Sequence, residues 1–141
     1  GGAIEHVALM VDAVHAVTTA NRALLKVILE TGELRDPDHV AAAARLAIAH
    51  GADFVKTSTG TTPVSATLEA TGILLRVIVG ADRPVGLKAS GGIRTVEKAG
   101  EYLDQAERIM GPSWARPTTF RFGASALLDA LLATLDGHPN P

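Results

Sequence analysis

Asp53-Phe54-Val55-Lys56-Thr57-Ser58 is a short run of aromatic, branched and polar residues, and after a polar loop it is followed by the apolar stretch 68–79, which closes at Gly80. The first segment suits a parallel strand covered on both faces, and the second is long enough to be a helix. The same order recurs on both sides. Upstream, Ala23-Leu24-Leu25-Lys26-Val27-Ile28-Leu29-Glu30 is nearly continuous and apolar, and Thr31-Gly32 breaks it. Asp36-Pro37 then suits a helix start, with the aspartate as N-cap and the proline in the first turn, and the alanine-rich stretch 40–50 ends at Gly51 as a C-cap. Downstream, Val85-Gly86-Leu87-Lys88-Ala89-Ser90 precedes a helix over 96–110, and Thr118-Thr119-Phe120-Arg121-Phe122 precedes a last helix over 125–135. Starts at Ala23, Asp53, Val85 and Thr119 lie 30, 32 and 34 residues apart, close to the ~30 or more of one βα unit. This alternation predicts a parallel sheet with right-handed crossovers, as an open doubly wound sheet or as part of a (β/α)8 barrel. Ahead of it, Ile4, Val7, Ala8, Val11, Val14 and Val17 recur at helical spacing, so a helix over 4–18 leads the chain. Residues 1–135 are expected to form a single α/β domain and 136–141 a flexible tail.

Composition narrows the function. The 141 residues are 47% hydrophobic, with 13 Lys+Arg against 15 Asp+Glu, a net charge of -2. A pI near 6.2 gives no net pull toward nucleic acid or anionic lipid, so neither is expected as a partner, and any phosphate site must be local. The absence of cysteine excludes disulfides, thiolate metal sites and a cysteine nucleophile, and fits a reducing cytosol. The apolar runs fall short of the ~18 to 20 residues that cross a bilayer. Residues 1–10 lack the basic start of a signal peptide and carry Glu5 and His6, so a cytoplasmic protein is expected.

Functional groups of parallel α/β folds gather at the carboxyl ends of the strands. Those ends carry Lys56-Thr57-Ser58-Thr59-Gly60, Lys88-Ala89-Ser90-Gly91-Gly92-Ile93-Arg94 and Arg121-Phe122-Gly123-Ala124-Ser125. A lysine in an apolar strand is costly unless paired or deprotonated. A nucleophilic lysine exploits that cost, because only the neutral amine attacks a carbonyl and a second nearby cation lowers its pKa. Lys56 and Lys88 hold corresponding places on consecutive strands, which fits Schiff-base catalysis. The alternative is that each snorkels to solvent or pairs with a carboxylate. Lys26 lies early in its strand and is expected to make a structural ion pair. Gly91 and Gly92 let backbone amides approach an anion, Gly123-Ala124-Ser125 opens a helix whose N-terminus attracts phosphate, and Arg94 adds a charged donor. Glycine pairs are also ordinary turn residues. Glu30 either orients a lysine or a substrate hydroxyl, or caps a loop. His6, His15, His39, His50 and His138 show no ligand spacing, so they are expected at the surface and no metal is inferred. Trp114 and Pro117 are expected to pack the connection before the last strand. Ser58 lacks a GxSxG context.

The strings LLKVILETGEL, GADFVKTSTG, VGLKASGGIRT and FRFGASALL, in this order and spanning 23–132, resemble the deoxyribose-phosphate aldolase family, class I aldolases of the (β/α)8 (TIM-barrel) type, in its longer-chain branch. The resemblance implies that this chain covers about the last four βα units, strands five to eight, with a preceding helix. It implies reversible cleavage of 2-deoxy-D-ribose 5-phosphate to acetaldehyde and D-glyceraldehyde 3-phosphate, with Lys56 as the Schiff-base lysine. Lys88 matches the second lysine, which lowers the nucleophile's pKa and assists proton transfer. Gly60, Gly91, Gly92, Arg94, Gly123 and Ser125 match the segments that hold the phosphate, and Thr59 faces the sugar hydroxyls. No cofactor is implied, because the protonated imine is itself the electron sink.

The chain departs from the family's pattern at several points. It lacks the first four βα units and with them the fourth-strand aspartate of proton transfer. Ala126 replaces a frequent second serine, Thr61 stands where some relatives carry lysine, and the tail has no tyrosine. A separate N-terminal half or self-association is therefore expected to complete the barrel, with a small phosphorylated sugar as substrate. Two readings compete with the aldolase: another phosphate-binding barrel, an isomerase or synthase in which Lys56 is a base, and a non-catalytic half-barrel that only binds a phosphosugar.

Overall fold

Four short runs of branched and aromatic residues pair side by side in the order in which the chain makes them. The computed structural model describes residues 2–137. Its elements are α1 (Gly2–Ala20), β1 (Lys26–Ile28), α2 (Thr31–Leu34), α3 (Pro37–Ala49), β2 (Phe54–Lys56), α4 (Leu68–Val79), β3 (Gly86–Ser90), α5 (Val96–Met110), β4 (Phe120–Gly123) and α6 (Ala126–Leu135). The strands form one sheet in the order β1-β2-β3-β4, and every pair is parallel. Strand alternation sorts the side chains. Val55, Leu87, Ala89 and Phe120 point to one face and are buried with Ala44, Leu74, Leu75 and Tyr102 of the helices.

The helix boundaries have local causes. Asp36 accepts a hydrogen bond from Asp38 N at 2.7 Å with Pro37 in the first turn, as its sequence predicts. The hydroxyls of Thr67 and Thr95 cap α4 and α5 in the same way, accepting from Ala70 N at 3.0 Å and Lys98 N at 3.2 Å. Below the sheet, the Asp53 carboxylate accepts Leu25 N at 2.8 Å, and Arg83 donates to the carbonyls of Ile48 and Ala52 at 2.9 and 2.8 Å. At the other side, Trp114 and Phe120 meet edge to face at 6.3 Å, so Trp114 does pack the connection before the last strand.

Three features differ from the sequence reading. The strands are shorter than their apolar runs, because Leu29 and Glu30 leave the sheet at a left-handed Glu30 (φ 52). The turn α2 follows at once; four residues are too few to show a helical period. The predicted apolar face of α1 exists, yet Val11 is its buried member and Ile4, Val7, Val14 and Val17 stay exposed. α1 meets α3 through Asp12 and His50, whose Oδ1 and Nδ1 lie 2.8 Å apart, and through the His15 ring, which occupies the space a side chain on Gly51 would need. His15 and His50 are half-buried rather than surface residues, and His138 with the rest of the tail from 138 lies outside the described residues.

Gly51 is thus constrained twice, by a φ of +98 and by the His15 ring. Gly51→Ala is expected to destabilise the fold by more than ~1 kcal/mol in urea and to raise hydrogen exchange in α1, whereas Gly2→Ala, which meets nothing within 4 Å, should leave both unchanged. Equal effects of the two would show that α1 does not dock through this contact.

Candidate active site

The face of the sheet opposite the helices carries the polar groups. Register pairs Lys56 with Lys88 and Lys88 with Arg121, so three cations stand in a row across β2, β3 and β4. Lys26 lies one layer lower, opposite Phe54. The expected ion pair of Lys26 is absent among the described residues. Its ammonium instead stands 5.8 Å from the centroid of the Phe54 ring, and the Arg121 guanidinium lies 4.4 Å from the same centroid. An aromatic face is a favourable neighbour for cations that cannot all find carboxylates. The ring fits because residue 86 is glycine; a Cβ there would collide with it. Burial first, then the charges of Lys26, Lys56 and Arg121, hold the Lys88 amine below the ordinary lysine value.

The loops above the row are built from small residues. Thr57 is fully buried, accepts Ser90 N at 3.0 Å and donates to Ser90 O at 3.3 Å, which locks the ends of β2 and β3 together. Ser58 is also fully buried, and its hydroxyl has no partner among the described residues. The Glu30 carboxylate accepts from Thr59 N at 3.1 and 3.3 Å, from the Thr59 hydroxyl at 2.6 Å and from the Thr62 hydroxyl at 3.2 Å. It is therefore a loop-fixing carboxylate, and those bonds, Thr59 first, hold its pKa below the usual glutamate value.

A cavity of about 230 Å³ lies beside this loop, lined by Thr59, Gly60, Gly91, Gly92, Arg94, Gly123 and Ser125 together with Ser90 and Ala124. All seven residues expected to bind substrate or phosphate thus meet in one place, next to Lys88. Gly91 and Gly92 adopt φ of +90 and +77, and a side chain on Gly91 would meet Ser65 at 2.5 Å. Gly123 has a second reason to be glycine, since a Cβ there would lie 2.8 Å from Lys88 Cε and would strike the Ser90 hydroxyl. The backbone N–H groups of Gly92, Ile93 and Arg94 have no acceptor among the described residues. With Arg94 and the start of α6 at Ser125, the chemistry of this lining is that of anion binding. Among the described residues no cluster of His, Asp or Glu is suited to a metal ion. The residues missed in sequence are Arg121 and Phe54, both legible in principle because they alternate onto the same face as Lys56 and Lys88.

Comparison with known proteins identifies the family. The family model of DeoC/LacD family aldolases matches residues 5–133. The chain belongs to the DeoC/LacD aldolase family. It is 55% identical over 131 residues to the deoxyribose-phosphate aldolase of Agrobacterium fabrum, a match covering 93% of this chain and 50% of that protein. An apo-form structure from Toxoplasma gondii ME49, assigned to the deoxyribose-phosphate aldolases, superposes with a TM-score of 0.86 at 27% identity, over 98% of this chain and 54% of that one. The tetrameric deoxyribose phosphate aldolase of Aeropyrum pernix gives 0.73 at 25% identity, over 94% and 50%. This family member spans about half the length of the relatives it matches.

The cation row makes Lys88 a test of the electrostatics. Its amine should acylate as the free base at lower pH than an ordinary lysine. Removing a like charge favours the protonated form, so Arg121→Gln and Lys26→Met should each move the midpoint of that reaction upward. Site-resolved acylation against pH reads it; a midpoint that falls, or one unmoved by both variants, would contradict the arrangement.

Proposed function

We propose that this chain supplies strands five to eight of a (β/α)8 aldolase barrel, and that the completed enzyme reversibly cleaves 2-deoxy-D-ribose 5-phosphate by a Schiff-base mechanism on Lys56. One observation carries the reading: Lys56 and Lys88 stand in register on adjacent strands, beside a glycine-lined cavity with free backbone donors. The Lys56 amine adds to the C1 aldehyde and water leaves, giving a protonated imine. The C3 hydroxyl loses its proton and the C2–C3 bond breaks, its electron pair passing into the imine as an enamine. D-glyceraldehyde 3-phosphate departs, the enamine is protonated at C2, and hydrolysis releases acetaldehyde and restores the lysine. Lys88, whose proton is loosely held, serves as the proton carrier closest to the reacting carbons. The phosphate sits on Gly60, Gly91, Gly92, Arg94, Gly123 and Ser125. No metal or cofactor enters, because the imine is the electron sink. The setting is the cytoplasm; among the described residues no helix is long and apolar enough to cross a membrane.

A complete barrel needs four further strands beside these. β1 and β4 are each paired on one side within the described sheet, which leaves an edge for a further strand at either end.

Borohydride reduction of the completed, active protein with acetaldehyde tests the chemistry. A stable adduct is expected on Lys56, and Lys56→Ala should reduce it to background; full stoichiometry in the variant would reject the assignment. A barrel isomerase or a non-catalytic binder gives no adduct at all. Sedimentation joined to a retro-aldol assay tests the assembly. The chain alone should self-associate and turn over poorly, and a monodisperse monomer with full turnover would show the other half to be dispensable.

A further inference from the structure

Phe54 stands on the polar face of the sheet, yet it is only 2% exposed. Register explains what covers it. Phe54 pairs with Lys26 on one side and with Gly86 on the other, two residues before Lys56 and Lys88 on their strands. Its side chain therefore leaves β2 on the face of the lysines, one layer below them. The ring lies across Gly86, in the space that a Cβ there would need. From β4 the Arg121 guanidinium comes onto it, 4.4 Å from the ring centroid, while Arg121 Nε donates to the Pro117 carbonyl at 3.0 Å. That bond draws the side chain back toward the start of its strand. From β1 the Lys26 ammonium approaches the same ring to 5.8 Å. One side chain of β2 thus links β1 to β4 beneath Lys88.

Among the described residues neither Arg121 nor Lys26 is in an ion pair. The carboxylates around the row are spent elsewhere. Glu30 accepts from Thr59 and Thr62, and Asp53 accepts Leu25 N and lies 3.8 Å from Arg83. We propose that Phe54 is a positioning residue: its ring, seated on Gly86, holds Arg121 and Lys26 beneath Lys88, where their charges act on the Lys88 amine through space with no carboxylate to cancel them. An aromatic face suits this task because it attracts a cation and leaves its charge in place. A carboxylate at the same point would pair with Arg121 and favour the protonated lysine. The lowered value of the Lys88 amine agrees, with burial as its first cause and the charges of Lys26, Lys56 and Arg121 after it. The inference rests on the Schiff-base reading, in which Lys88 carries the proton, and adds the residue that arranges the charges around that lysine.

Site-resolved acylation of the chain against pH tests the seat, in Phe54→Met, Gly86→Ala, Arg121→Gln and the double variant of Phe54→Met with Arg121→Gln. Met keeps an apolar side chain of similar size and has no ring face, and the methyl that Gly86→Ala adds would occupy the ring's place. Each of these two changes should raise the Lys88 midpoint by about half a pH unit, because the like charges beside it are released. In the Arg121→Gln background the shift from Phe54→Met should shrink by about half or more, since the two residues act through one contact. Lys98, bonded to Glu101 at 2.7 Å, is the internal control and should keep its midpoint. A Lys88 midpoint that stays or falls in either variant overturns the proposal. So does a shift undiminished without Arg121, or a Lys98 midpoint that moves along with Lys88, which marks general loosening. Where one of the two variants does not fold, the other decides. Borohydride trapping of acetaldehyde judges the aldolase reading separately: a completed wild-type protein that gives no adduct rejects that reading, and the Lys88 midpoints still judge Phe54.

Discussion

Everything in this fold hangs on the in-register parallel pairing of β2, β3 and β4, which sets Lys56, Lys88 and Arg121 side by side. Adjacent strands lie about 4.8 Å apart, so like charges carried by neighbouring strands repel. Left to themselves the three cations would separate. The other face prevents it, since Val55, Leu87 and Ala89 of the same strands are fully buried against α3, α4 and α5, and each large side chain so buried contributes about 1.5–3 kcal/mol. The core therefore fixes the register and the register imposes the repulsion. The Phe54 ring beneath the cations offsets part of it. Burial first, and then the neighbouring charges, hold the Lys88 amine below the ordinary lysine value.

Legibility in the sequence followed the range of the interaction. Helices α4 and α5 run over 68–79 and 96–110, the limits their sequence predicts, because helical period, Gly80 and the flanking polar loops all act within a few residues. Asp36-Pro37 is legible for the same reason. Alternation predicts the parallel pairing, whereas the order β1-β2-β3-β4 is seen only in the structure. What escaped depends on residues far apart in the chain. Glu30 and Thr59 are 29 positions apart, and nothing near Glu30 says that its carboxylate clamps the loop after Lys56. Lys26 shows the same limit: its place early in β1 is legible, whereas its aromatic neighbour comes from the next strand. For α1 the pattern is present and incomplete in meaning, because an apolar stripe states that a face is to be covered and not by what.

The glycines show how one residue answers two demands. Gly91 and Gly92 take backbone conformations that suit glycine, at +90 and +77, and their place beside an anion cavity is what the sequence suggests. Gly123 lines that cavity too, yet the reason it cannot carry a side chain is the approach of Lys88 and Ser90 from β3. A side chain there would meet both Lys88 and the Ser90 hydroxyl. The cavity lining and the Lys88 side chain thus approach each other closely at the end of β3, with Thr57 and Ser90 closing the gap between the strands on the other side.

Polarity then orders the site along one direction. Backbone donors and Arg94 gather at the end of β3 and the start of α6, the lysine row occupies the sheet face, and the Glu30 carboxylate with its bonded threonines closes the side nearest β1. Donor, amine and acceptor regions come from different strands, so the rigid sheet and not any single loop keeps them apart. The placement of donors, amines and acceptors is therefore the consequence of one arrangement, the parallel sheet that also creates the cation row.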